Sequence, residues 1–148
     1  MQGVLVLTPA RSCTRTSVSI VLAGIALVAM LPTAASGAMH TRTFQMPSGN
    51  IYCLISSGRL RCDIRSGLQP EPKRECEVDW TGLSVAGKGK AGPVCAGDTV
   101  YDPDARTLEY GAKWKRNGIV CRSRRSGLRC HNRPNHGFFL SRDDWDTF

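Results

Sequence analysis

Between Glu109 and Asp143 the chain carries no acid, yet it holds Lys113, Lys115, Arg116, Arg122, Arg124, Arg125, Arg129, Arg133 and Arg142, together with His131 and His136. Two chemistries fit such a stretch. Guanidinium and ammonium groups gathered without carboxylates hold an anion through charge and directed N–H donors. A histidine in the same field, given a carboxylate, makes a general base for cleaving phosphate esters. The carboxylates available to it are Asp63, Asp143 and Asp144. His131 and His136 are therefore the catalytic candidates, and Arg122, Arg124, Arg129, His131 and Arg133 the binding candidates. The plainer alternatives are a solvated basic face with acidic loops folded over it, His131 as a surface strand residue and His136 as a turn residue in Asn135-His136-Gly137.

Other chemistry finds less to work with. Asp98, Asp102 and Asp104 share one loop but lack the regular spacing and terminal Glu of a calcium loop, so a turn at Asp102-Pro103-Asp104 is expected. There is no G-x-S-x-G, no Walker loop, no H-E-x-x-H and no dedicated nucleic-acid motif. Ser141 has no evident base. Trp80 and Trp114 read as core or rim aromatics, and Trp114 and Phe138 stand only loosely near the basic segment. Neither a metal nor a cofactor is expected.

The elements that must carry the basic segment show themselves in a repeat. Ile51-Tyr-Cys53 precedes Leu60-Arg-Cys62, and Ile119-Val-Cys121 precedes Leu128-Arg-Cys130, with the same spacing and a Ser-Gly step in or beside the turn. Each copy fits a β-hairpin. With a two-residue turn at Ser57-Gly58, side chains alternating with period two put Ile51, Cys53, Ile55, Leu60, Cys62 and Ile64 on one apolar face. Tyr52, Leu54, Arg59, Arg61 and Asp63 then face outward. Cysteines opposed at a non-hydrogen-bonded pair lie close enough to bridge, which predicts Cys53–Cys62 and Cys121–Cys130 and leaves Cys76–Cys95. In the second copy the outward face carries Arg122, Arg124, Arg129 and His131, with Arg122 directly against Arg129. Like charges opposed across a ladder are destabilising, so an acid such as Asp143 or Asp144, or an anion from outside, should compensate.

Further strands are expected at Glu77–Ala86, Gly97–Tyr101, Thr107–Tyr110 and Gly137–Ser141, and one terminal turn over Asp143–Phe148. The class is all-β: a small disulfide-stapled barrel or sandwich with two pseudo-repeated hairpins.

Ahead of this domain, residues 1–38 read as a secretory signal peptide. Arg11 and Arg15 precede an apolar run from Val18 to Leu31, and Pro32 and small residues follow. That run of about 14 residues falls short of the roughly 20 that span a bilayer as a helix. Cleavage is expected after Ala35 or, in preference, Ala38; an uncleaved leader would be the only membrane contact. No cysteine stands just after the run, and Cys13 precedes it, so no lipid anchor is expected. Removal of the leader leaves a single domain, residues 39–148, with the six cysteines Cys53, Cys62, Cys76, Cys95, Cys121 and Cys130, a disulfide framework suited to an oxidising compartment. It also leaves every acid and all but Arg11 and Arg15 of the 20 Lys and Arg, and hence a strongly basic domain.

Pro47-Ser-Gly-Asn-Ile51, Arg61-Cys-Asp-Ile64, Cys95-Ala-Gly-Asp-Thr-Val100, Leu108-Glu-Tyr-Gly111, Gly127-Leu-Arg-Cys130 and His136-Gly-Phe-Phe-Leu-Ser-Arg142 together resemble a family of secreted, cysteine-containing domains of unknown function from actinobacteria. The resemblance covers nearly all of residues 44–148 and implies export, a mycobacterium-like source and one disulfide-bonded domain. It brings no activity. Where the family pattern has Gly before the His of the last motif, this chain has Asn135. The expected function is a non-enzymatic, monomeric binding module of the envelope or medium, whose basic face takes an anionic envelope polymer or a protein partner. The alternatives are a secreted phosphodiesterase-like hydrolase using His131 or His136, and a secreted inhibitor or effector.

Overall fold

The computed structural model describes residues 38–148; residues 1–37 of the expected leader, with the Ala35 cleavage point, lie outside the described residues. Ten strands follow one another: β1 (Thr43–Gln45), β2 (Ile51–Ser56), β3 (Arg59–Ile64), β4 (Asp79–Ala86), β5 (Gly92–Ala96), β6 (Lys113–Arg116), β7 (Ile119–Arg124), β8 (Gly127–His131), β9 (Gly137–Leu140) and β10 (Trp145–Thr147). They form two antiparallel meanders, β1-β2-β3-β4-β5 and β10-β9-β8-β7-β6. The domain is all-β, and its two sheets share one buried core rather than closing into a barrel.

Both repeated hairpins take the expected register, Cys53 opposite Cys62 and Cys121 opposite Cys130. Their Cα atoms are 4.1 and 4.0 Å apart, and all four cysteines are buried. Cys76 bonds Cys95, and this third bridge sits at the surface. On the chain-entropy account each loop closure contributes about 3 kcal/mol.

The duplication extends beyond the hairpins. Phe44 lies opposite Cys53 as Trp114 lies opposite Cys121, and the two rings meet in the core with centroids 5.1 Å apart. On the far side, Leu83 lies opposite Cys62 as Phe138 lies opposite Cys130. Gly82 pairs with Asp63, and Gly137 with His131, for the same steric reason. A Cβ on Gly82 would collide with the Cys62 carbonyl and stand 2.7 Å from Asp63 Cα; on Gly137 it would collide with the Cys130 carbonyl and stand 2.8 Å from His131 Cα. Five strands thus correspond to five, and only the connections differ. The first half inserts residues 65–78 between β3 and β4, stapled by Cys76; the second turns from β8 to β9 through residues 132–136.

Several elements depart from expectation. Gly97–Tyr101 is not a strand, because Arg61 grips the Asp98 carboxylate and carbonyl and Asp63 accepts from Val100 N; the strand is β5, just before it. Pro93 is tolerated there because β5 is an edge. Thr107–Tyr110 makes only one bridge, Thr107 to Gln45. The terminal segment is strand β10 instead of a turn, since Ser141 and Asp144 close a tight loop through Ser141 Oγ. β1 and β6 lie outside the expected strands. The Asn117-Gly118 turn joins β6 to β7 with positive φ at both residues, as a two-residue type I′ hairpin requires.

Candidate functional site

On the second sheet, alternation sends Trp114, Cys121, Leu128, Cys130 and Phe138 inward and leaves two cross-strand rows facing out. One row runs Lys113, Arg122, Arg129, Phe139, Asp146; the next runs Lys115, Val120, His131, Gly137. Arg124 follows Arg122 by two residues on β7, about 7 Å along the strand. Lys113, Arg122, Arg124, Arg129 and His131, with Val120 and Phe139, line a concavity of about 630 Å³. Gly127 lines it as well, packed so closely that a Cβ there would come within 2.8 Å of the Phe139 ring.

Arg122 and Arg129 are paired across the ladder, as expected, and both are exposed. No acid compensates them. Among the described residues the ion pairs are Arg61 with Asp63 and Arg61 with Asp98, both in the other half. Neither Asp143 nor Asp144 lines this concavity. Asp146 shares Arg129's row two strands away, about 10 Å at ordinary ladder spacing. Arg129 is instead held by an aromatic ring. Phe148 extends the β9–β10 ladder by exchanging hydrogen bonds with Gly137, and its ring lies 3.9 Å below the Arg129 guanidinium.

The equivalent position in the first half is Arg61, and two carboxylates meet it. Its guanidinium donates to both carboxylate oxygens of Asp63 at 2.8 and 2.9 Å, to Asp98 Oδ1 at 2.8 Å and to the Asp98 carbonyl at 2.6 Å. Burial works to lower the Arg61 pKa, but the hydrogen bonds and charges of Asp63 and Asp98 outweigh it and raise the pKa above its ordinary value. The bond from Arg61 in turn holds the Asp98 carboxyl below the usual range. Asp63 occupies the position of His131, so the halves differ in whether arginine meets a carboxylate at this point.

The remaining candidates scatter. His131 lines the concavity, with Nδ1 3.2 Å from the Asn132 carbonyl. His136 lies in the turn beyond and does not line it; neither do Asp63, Asp143 and Asp144. Arg133 points to a separate depression with Gly58, Lys88 and Asn117, so it is not part of the basic face. The physical reason is Asn132, which stands where the first half has Ile64 and is buried. It donates to the Ala86 and Gly89 carbonyls at 3.0 and 2.8 Å and accepts from His136 N, which turns the chain away. Trp114 and Phe138 are fully buried and offer no ligand platform. Asp102 Oδ1 accepts from Asp104 N, forming the expected turn, and no group of three metal-ligating side chains occurs among the described residues. Phe139 joins the face beyond the expected residues, and period two from Phe138 assigns it outward.

Over residues 21–148 the chain matches the model of a family of unknown function (DUF6636). It belongs to that family. No curated protein and no solved structure matches the chain. The DUF6636 match spans both halves of the duplication, so the paired and the unpaired arginine site fall within a single family domain.

Proposed function

We propose that this DUF6636 protein is an exported, non-enzymatic binding module that holds an anionic partner, an envelope polymer in the first instance, on the outer face of β6–β9. One observation carries the reading: Arg122 and Arg129 oppose each other at a concavity with no carboxylate, while the matching Arg61 is neutralised by Asp63 and Asp98. An anion seated between them relieves the repulsion and stabilises the fold by mass action. Export joins the proposal because three disulfides are compatible with an oxidising compartment. The hydrolase alternative gains no support, since His131 has no carboxylate beside it and His136 lies outside the concavity.

The test is retention on an anionic wall polymer or heparin. Affinity should fall steeply with salt, and Arg122→Ala with Arg129→Ala should release the protein at much lower salt than Lys88→Ala with Lys90→Ala, which removes the same charge elsewhere. Retention indifferent to salt, or equal losses in both double variants, would sink the reading.

A further inference from the structure

The basic face does not end at the hairpin tip. A second concavity of about 380 Å³ opens on the other side of the β7–β8 turn and shares Arg124, Ser126 and Gly127 with the first. It adds Arg125, Arg142, and the hydroxyls of Ser48 and Ser141. Arg125 is laid against the Tyr110 ring at 5.2 Å, as Arg129 is against Phe148, so both guanidinium groups are held by a ring rather than by an acid. Asp143 is the one acid lining either concavity. The strand positions that carry neighbouring cations are spaced about 5 Å across the ladder and about 7 Å along it.

We infer that the two concavities form one track, and that the ligand is a linear chain of phosphate groups laid over the hairpin tip from Arg129 to Arg142. The inference rests on the binding-module reading. A compact anion neutralises two or three of these cations and leaves the others facing each other; a chain with a charge at every unit neutralises them all. Arginine dominates the track, and its planar fork matches phosphate oxygens. A phosphodiester carries its charge on two oxygens pointing to either side of the chain, which suits cations arriving from β7, from β8 and from Arg142 beyond β9. A polycarboxylate presents each charge on a branch pointing one way. Base recognition is disfavoured for a separate reason. Single strands are held by bases stacking on successive free rings, and here Phe148 and Tyr110 are already covered by arginines, which leaves Phe139.

Titration calorimetry of the disulfide-bonded protein at several salt concentrations separates these ideas. The probes are tripolyphosphate, a linear polyphosphate long enough to cover both concavities, a glycerol-phosphate polymer, polyglutamate and a single-stranded oligonucleotide of matched charge. Affinity per phosphate should rise at least tenfold from tripolyphosphate to the long chain. The salt slope should steepen from about −2 to about −3.5, as about three and about five phosphate contacts give. The ratio of long-chain to tripolyphosphate affinity should fall about tenfold in the Arg125→Ala, Arg142→Ala double variant. Binding of the glycerol-phosphate polymer alongside polyphosphate supports recognition of the phosphate chain; binding of polyphosphate alone restricts the ligand to that polymer and still supports the track. Length-independent affinity per phosphate, or an unchanged ratio in the variant, overturns the track while leaving the binding module standing. Tighter binding of polyglutamate or of the oligonucleotide overturns the assignment to phosphate chains. Failure of every probe at low salt overturns both readings.

Discussion

The two halves of the domain put the same backbone to different uses. In each, an arginine sits on the third strand of a meander, two residues before the residue that faces a glycine of the fourth, and outward of a buried cross-strand disulfide. In the first half the partner residue is Asp63, and the segment that follows β5 brings Asp98 onto the same guanidinium. In the second half the partner is His131, the connection is short, and the charge is left to an aromatic ring and to solvent. The comparison teaches that a surface arginine cluster becomes informative when the same fold shows what neutralising it looks like.

The largest effect should come where the halves agree. Gly82→Ala and Gly137→Ala each drive a Cβ into the backbone of the neighbouring strand, which cannot yield as a side chain tip would. Each should cost more than about 4 kcal/mol and prevent recovery of folded, fully oxidised protein. A tolerated change at either position breaks the structural equivalence.

Next come positions where the halves differ. Asp63→Ala strands Arg61 with only the exposed Asp98 and should cost about 3–5 kcal/mol in urea unfolding, whereas His131→Ala at the matching site should cost less than about 0.5 kcal/mol. Asn132→Ile installs the first half's residue but leaves the Ala86 and Gly89 carbonyls and His136 N without their partner, for a loss of about 2–3 kcal/mol. A neutral outcome would show that the turn does not depend on Asn132.

The smallest effect is a pH dependence. Because Arg61 holds the folded Asp98 pKa below its unfolded value, the Asp98 contribution is full at neutral pH and is lost as pH falls through the folded pKa. Asp98→Asn should therefore lower the melting temperature at neutral pH, and the gap from wild type should close in strong acid. No gap at any pH would assign the role of Asp98 to its backbone carbonyl, which also accepts from Arg61 and which asparagine keeps.

Much of this was legible in the sequence, and the limits have physical causes. The cysteine spacing and period-two alternation specified both hairpins, their register and all three bridges, because a one-residue slip would bury Arg61 and Arg122. β6 was hidden by its charges: Trp114 is its one apolar residue, and the real signal was Asn117-Gly118 at the turn. Gly97–Tyr101 had the composition of a strand, but nothing local announces that Arg61, 37 residues earlier, pulls it out of the sheet. Arg133 adjoins the basic residues in sequence, but burial of Asn132 turns it to the other depression. The site itself was half visible, with Arg122, Arg124, Arg129 and His131 gathered as expected and Phe139, Phe148 and the reach to Arg142 added by the fold.

The central claim is that the missing carboxylate at position 131 leaves the second half open to an anion. His131→Asp places there what the first half has at Asp63, two residues from Arg129 and facing Gly137 as Asp63 faces Gly82. Calorimetric affinity for the anionic polymer should drop at least tenfold while the fold is kept or slightly stabilised. Undiminished affinity in a folded His131→Asp protein would contradict the account.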